Sequence, residues 1–297
     1  MRKLEGIYPA VVTPFDREGQ FSAAAMRRIV QHQLAAGVHG FYVCGGTGEG
    51  MLLTVDERKA ALETVLDEVA GQAGVIAHIG AFQTADTLTL ARHASEAGVD
   101  AIAAIPPAYF FKPDTLGLVR YYTALDEASS VPILVYNIPQ RTGVNMTQEL
   151  FDQLLELPNV VGMKESSGNI FSLSLFFTGG KRPVIFEGED TVLLPGLMMG
   201  ACGGIGATYN LWPQLFVKLW DAFRAKDMDA ASQTQLRINE LINAFLGHGD
   251  FFTGVKQVMA WMDLECGIGR TPNRPLTDDE TASLRASMEE AGFFGDL

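Results

Sequence analysis

Cysteine is scarce: three in 297 residues, Cys44, Cys202 and Cys266, far apart and never as C-x-x-C. Neither a disulfide framework nor a zinc knuckle is readable, and a reducing cytoplasm is the expected setting. Basic residues are few as well, with 22 Lys and Arg against 35 Asp and Glu and a formal net charge of −13. That surplus of acid disfavours nucleic acid or an anionic membrane surface as partner, since either needs a basic patch. No apolar run approaches membrane-spanning length, and the N-terminal MRKLEGIYPAVV puts a glutamate and a glycine where a signal peptide would continue its apolar core. The histidines His32, His39, His78, His93 and His248 never fall at i, i+2 or i, i+4, the spacings that aim two imidazoles at one metal. His78, in VIAHIG, could serve as one ligand but has no evident partner. There is no G-x-S-x-G elbow. Metal-dependent aldolase and hydrolase chemistry therefore find no support.

With 47% hydrophobic and 19% charged residues, the chain can bury a large core as one barrel or two smaller domains. An amphipathic helical stretch, a Gly-containing stop and a short apolar run recur about eight times. The strand candidates are Ile7–Val12, Gly40–Cys44, Val75–Gly80, Ala101–Pro106, Pro132–Asn137, Val160–Lys164, Val184–Glu187 and Gly203–Ala207. AAGVHGFYV, EAGVDAIAA and MMGACGGIG share one joint, a helix stopped at glycine that enters a buried strand. Thr54-Val-Asp-Glu57 is a capping box. Strands apolar on both faces with helices between them imply a covered parallel sheet, and eight such units fit a (β/α)8 TIM barrel better than an open doubly wound sheet. From about Leu211 the chain is helical and acidic: the eighth barrel helix, then a C-terminal helical extension. The expected division is a barrel over residues 1–225 and the extension over 226–297, with no low-complexity linker.

The stretch YVCGGTGEG, residues 42–50, looks at first like a phosphate cradle or a dinucleotide turn. A Walker loop would end in Gly-Lys-Ser/Thr, but Glu49 follows Gly48, and its charge would repel phosphate. A Rossmann turn needs a third glycine where Met51 or Leu53 stands. Backbone N–H groups at Gly45–Gly48 and the Thr47 hydroxyl could instead hold a carboxylate. Glu49 reads as structural, receiving hydrogen bonds from neighbouring turns.

In a barrel, chemistry sits at the C-terminal ends of the strands. Strand two ends at GGTGE, strand five at YNIPQRTG, strand six at KESSGN and strand seven at EGED. Lys164 follows the apolar NVVGM; a strand-end lysine is either salt-bridged, here to Glu165 or Glu187, or a desolvated amine able to attack a carbonyl. Tyr136, one strand earlier, could shuttle a proton to a substrate on that amine, or be a core tyrosine with its hydroxyl tied off. Tyr109, Phe110 and Phe111 suit a lid or, better, an interface.

The order G-x-x-G-E, then Y-N-I-P, then K-x-x-S-G-N resembles the pyruvate-dependent class I aldolases and lyases grouped with dihydrodipicolinate synthase and N-acetylneuraminate lyase. The likeness runs from about Gly6 to Pro275. It implies a Schiff base between Lys164 and pyruvate or a 2-keto acid, with an aldehyde as second partner and no cofactor beyond the imine on Lys164. Tyr136 becomes the proton shuttle and the Thr47 turn the carboxylate holder. Tyr109 would reach across a subunit interface of a homotetramer. Gly46, Thr47, Arg141, Ser166, Gly188, Asp190 and Ile205 are the implied substrate-binding positions.

The subfamily signals diverge. GGIGATYN, VIAHIG and GVKQVMAWMD look like N-acetylneuraminate lyase, whereas Arg141 looks like dihydrodipicolinate synthase, where an arginine serves the second substrate's carboxylate. Gly46 stands where the family keeps the first hydroxyl of a Ser-Thr or Thr-Thr pair. Asp190 keeps an acidic position of the sialic acid lyases, but Thr191 and Ala207 replace their glutamate and serine. Lost polyol contacts plus a guanidinium imply a shorter or more acidic substrate than sialic acid, and so an aldolase or dehydratase, a carbon-carbon or carbon-oxygen lyase, acting on a 2-keto-3-deoxy acid, with dihydrodipicolinate synthase, condensing pyruvate with aspartate semialdehyde, as the alternative. A barrel that binds a metabolite without turning it over is the competing reading from another class, resting on Gly46.

Overall fold

A computed structural model describes residues 3–108, 113–178 and 180–295. Eight parallel strands run in sequence order: β1 (Gly6–Pro9), β2 (Gly40–Val43), β3 (Gly74–His78), β4 (Ala101–Ala104), β5 (Ile133–Asn137), β6 (Val160–Glu165), β7 (Val184–Glu187) and β8 (Gly203–Gly206). Neighbours pair consecutively from β2 to β8, and β8 pairs with β1. Between β1 and β2, Ala10 bridges Tyr42 in parallel and Val11 N–H donates to the Tyr42 carbonyl at 3.0 Å, which brings the sheet round into a nearly closed barrel. The expected eight-fold (β/α) pattern is thus what forms, with some strands shorter than the apolar runs suggested. Their ends pass into turns that carry the polar residues.

Each strand alternates between two cores, because successive side chains point to opposite faces. Tyr8, Ala10, Tyr42, Ile76, Ala103, Leu134, Tyr136, Phe186 and Ile205 fill the barrel interior. Ile7, Phe41, Val43, Val75, Ile102, Ile133, Val135, Met163 and Ile185 face the surrounding helices. The interior has room for bulky rings where a neighbour gives up its side chain. A Cβ at Gly40 would lie 2.0 Å from Tyr8 Cε1, so only glycine admits the Tyr8 ring there.

The helices Ala23–Ala35, Val55–Val69, Thr84–Ala97 and Thr115–Ala128 follow the first four strands. Thr54 caps the second of these with the reciprocal Glu57 contact that its sequence announced. Shorter helices follow β5 to β7, and Pro213–Arg224 follows β8. The chain then adds Met228–Phe245, Phe251–Trp261 and Asp278–Glu290. Among the described residues no helix is long and apolar enough to cross a membrane.

Candidate active site

A cavity of about 640 Å³ opens at the C-terminal ends of the strands. Lys164 projects into it from β6, in register with Tyr136 on one side and Phe186 on the other. It is 4% exposed. Its Nζ lies 4.5 Å from the centre of the Tyr42 ring and 4.4 Å from that of Tyr136. No described carboxylate lies within ion-pair distance of it. The two suggested partners are occupied elsewhere, because residues adjacent to an inward side chain on a strand face outward. Glu165 accepts from Asn137 Nδ2 at 2.6 Å and from Ser167 N–H at 2.7 Å, and Glu187 from the N–H groups of Gly188 and Glu189 at 3.1 and 2.9 Å. Gly188 keeps the amine's surroundings open. A Cβ there would fall 2.0 Å from Ser166 Oγ and 3.1 Å from Lys164 Cε.

The glycine-rich turn stands across the same cavity, flanked by two left-handed residues, Cys44 at φ 58° and Glu49 at φ 53°. Its carbonyls are used internally, with Gly45 accepting from Gly50 N–H and Gly46 from Glu49 N–H, both at 3.0 Å. The N–H groups of Gly46, Thr47 and Gly48 donate to no described protein group, nor is the Thr47 hydroxyl committed to one. Successive free amide donors of this kind form an anion-binding concavity. Glu49 points away from it and accepts from Arg270 N–H at 2.7 Å and Asn273 Nδ2 at 3.0 Å, so the expectation of a structural glutamate holds.

Arg141, Ser166, Gly188, Asp190 and Ile205 all line the cavity together with Gly46, Thr47, Tyr136 and Lys164. Tyr109, with Phe110 and Phe111, lies outside the described residues. Ser166 Oγ is buried without a hydrogen-bond partner among the described residues. Asp190 is turned toward the protein: its carboxylate accepts from Thr208 N–H at 2.8 Å and Thr208 Oγ1 at 2.6 Å, and burial pushes its pKa up to about 6. The Thr191 hydroxyl is likewise used, donating to Glu189 at 2.8 Å. Arg141 is exposed on the cavity wall, 5.6 Å from the centre of the Phe252 ring.

Sequence reasoning missed the outer wall. Ile242, Leu246, Phe251 and Phe252 come from the C-terminal helices and complete the cavity with an apolar side. Asp250, which caps the helix bearing the two phenylalanines, was the one local signal, and it fixes a helix start rather than a place near Lys164. His78 also lines the cavity, its ring 5.8 Å from that of Tyr136. Its sequence context, VIAHIG, suggests only a lone metal ligand or a lyase-like motif. Among the described residues no three His, Cys, Asp or Glu side chains are grouped to hold a metal.

The model of the dihydrodipicolinate synthetase family matches residues 3–291. The chain belongs to that family, and so to the class I, Schiff-base-forming aldolases and lyases. It is 36% identical to an N-acetylneuraminate lyase of Mediterraneibacter gnavus over 293 residues, 97% of this chain and 93% of that one. A sialic acid aldolase from Ruminococcus gnavus, solved as a catalytic lysine mutant, superposes with a TM-score of 0.93 at 35% identity, covering 100% of this chain and 98% of that one. A prophage protein of the dihydrodipicolinic acid synthase family from E. coli K12, solved in complex with pyruvate, superposes with a TM-score of 0.92 at 26% identity, over 98% and 99% of the two chains.

Proposed function

We propose that Lys164 is the Schiff-base lysine of an aldolase or lyase that acts on pyruvate or a 2-keto-3-deoxy acid. The observation that carries this reading is the setting of its amine: buried, unpaired with any described carboxylate, opening into the cavity and faced by the rings of Tyr42 and Tyr136. The amine adds to the keto carbon, water leaves, and the cationic imine that results lies against two π faces. The imine withdraws the electron pair of a C3–H bond as an enamine, which adds to the carbonyl of an aldehyde; the reverse order cleaves the C3–C4 bond. Tyr136 relays protons between C3 and the aldehyde oxygen. The free N–H groups of Gly46, Thr47 and Gly48, with the Thr47 hydroxyl, hold the 2-keto acid's carboxylate.

For the second substrate, Asp190 and Thr191 are satisfied within the protein, whereas Arg141 is exposed on the wall over the Phe252 ring and paired with no described carboxylate. That balance supports a shorter or more acidic chain than sialic acid, with Ser166, Gly188 and Ile205 as its near surroundings. Arg141 also favours a second reading, condensation of pyruvate with aspartate semialdehyde as in dihydrodipicolinate synthase. We assign a homotetramer in which Tyr109 serves a neighbouring site. Phe171, Met198 and Met199, 71%, 58% and 41% exposed, offer the apolar surface that such an assembly would cover. The described cysteines are free, which suits a cytoplasmic location.

Intact mass after incubation with pyruvate and borohydride tests the central claim. A pyruvate-sized adduct on the wild type that is lost in Lys164→Ala is expected. Folded wild type without an adduct would overturn the pyruvate reading and favour a barrel that only binds a metabolite.

A further inference from the structure

Four apolar side chains from the C-terminal helices face the cavity that holds Lys164: Ile242, Leu246, Phe251 and Phe252. Leu246 caps the helix Met228–Phe245, its N–H donating to the Ile242 carbonyl at 3.0 Å, so the two side chains share one helix face. Phe251 and Phe252 open the next helix with their rings edge to face at 5.4 Å, and Phe251 packs in the same way, also at 5.4 Å, on the buried Phe245. The corner is thus set by the protein's own packing, and Leu246 within it is left 50% exposed. The polar side chains of the same cavity are largely spent on the protein. Gln140 Nε2 donates to the Ser167 carbonyl at 2.9 Å, Thr142 Oγ1 to that of Ile138 at 3.1 Å, Thr191 Oγ1 to Glu189 at 2.8 Å and Thr208 Oγ1 to Asp190 at 2.6 Å. A polyhydroxylated chain would leave its own hydroxyls poorly paired against such groups, whereas an apolar chain gains by leaving water. At about 640 Å³ the cavity is of the size that encloses a whole drug-sized ligand, and pyruvate on Lys164 would leave the outer wall uncovered.

We propose that the second substrate is an aldehyde with an apolar body, an aryl ring or an alkyl chain of similar size, seated on Ile242, Leu246, Phe251 and Phe252. The proposal rests on Lys164 as the Schiff-base lysine and takes the more acidic branch of that reading over the shorter one. The substrate's carboxylate end lies at Arg141, whose guanidinium sits 5.6 Å from the centre of the Phe252 ring and so joins the apolar corner to a cation. Glu189 discourages an anion on the other side, since Thr191 occupies one of its carboxylate oxygens and no described group takes the second. In condensation the enamine's C3 bonds to the aldehyde carbon, the aldehyde oxygen takes the proton that Tyr136 removed from C3, and water hydrolyses the imine. The product is a 4-hydroxy-2-keto acid with the apolar group on C4. The four wall residues touch no reacting atom and determine specificity.

Four aldehydes and two substitutions test it. 4-Formylbenzoate and adipic semialdehyde carry a carboxylate on an apolar body, glyoxylate carries the carboxylate alone, and glyceraldehyde has a hydroxylated body. Intrinsic reactivity differs among them, so the deciding quantity is how each responds to a changed wall. Phe252→Ala removes a ring from the corner. Leu246→Asn makes the wall polar at a half-exposed position, so it should fold even if the first variant does not. In both, kcat/KM with pyruvate should fall about 10-fold or more for 4-formylbenzoate and adipic semialdehyde and by less than about 3-fold for glyoxylate and glyceraldehyde. Whichever of the first two loses more tells ring from chain. p-Toluate, which cannot react, should compete with the aldehyde on the wild type and more weakly on the variants. Equal losses with all four aldehydes, no competition by p-toluate, or turnover of glyceraldehyde but of neither apolar aldehyde would each overturn the proposal. Wild type that forms no borohydride adduct with pyruvate would instead remove the Lys164 reading, a different signature.

Discussion

Glu49 and Lys256 form an ion pair of 2.6 Å in which each side chain is 1% exposed. Glu49 closes the glycine-rich turn, and Lys256 lies on the helix Phe251–Trp261, whose first residues wall the cavity. One contact therefore ties the N–H groups proposed for the keto acid's carboxylate to the apolar wall proposed for the second substrate. The C-terminal helices belong to the site as much as the barrel does.

Breaking that pair from one side should be expensive. Lys256→Met leaves a carboxylate buried without its cation, a loss of about 3–5 kcal/mol. Denaturant unfolding should register it, and the double variant Lys256→Met, Glu49→Gln should recover a large part. A single variant within about 1 kcal/mol of wild type would mean that Arg270 N–H and Asn273 suffice to hold Glu49.

Glu187 predicts a dependence on pH. Burial pushes its carboxyl up to about 8, with Glu165 across the strand pair adding to the effect. An unfolded glutamate titrates near ~4.3. Between those values the folded state keeps a proton that the unfolded state has released, so stability falls as pH rises through the window. Glu187→Gln removes this linkage while keeping an acceptor for Gly188 and Glu189. Melting curves of the two proteins should nearly coincide near pH ~4 and separate by pH ~8, with the variant the more stable. Parallel curves over that range would refute it.

What the sequence made legible is what a strand and its following turn decide together. Lys164, Tyr136 and the GGTGE turn are each the last residues of an apolar run, so their place at the barrel mouth follows from the alternation and repeat. The same alternation rules out Glu165 and Glu187 as partners of Lys164, because they point to the opposite face. Ile242, Leu246, Phe251, Phe252 and Lys256 were not legible as site residues. Nothing local distinguishes them from ordinary core positions of amphipathic helices, and their approach to the turn depends on how the last helices dock. His78 was visible at a strand end, but its hydrogen bond to the carbonyl of Cys44, a residue of left-handed backbone, was not.

Arg141 should discriminate between second substrates. It is exposed, so its removal costs little stability, and as a planar fork it suits a carboxylate. Arg141→Ala should lower kcat/KM for glyoxylate or aspartate semialdehyde on the order of 10- to 100-fold, and for N-acetylmannosamine by far less. Equal losses with acidic and neutral aldehydes would assign the arginine to the wall rather than to the substrate.

Gly46 and Gly188 make opposite predictions from the same kind of observation. Gly188→Ala drives a methyl into Ser166 Oγ and the Glu165 carbonyl beside Lys164, so adduct formation itself should suffer. At Gly46 a side chain enters open space and the backbone needs no left-handed conformation. Gly46→Ser should therefore leave the melting temperature unchanged. If a hydroxyl there donates one net hydrogen bond to the aldehyde oxygen, the condensation step should quicken about 2- to 10-fold. A slower enzyme would mean that the space beside Gly46 is needed by the substrate chain, and that glycine there selects for bulk rather than marking a missing hydroxyl.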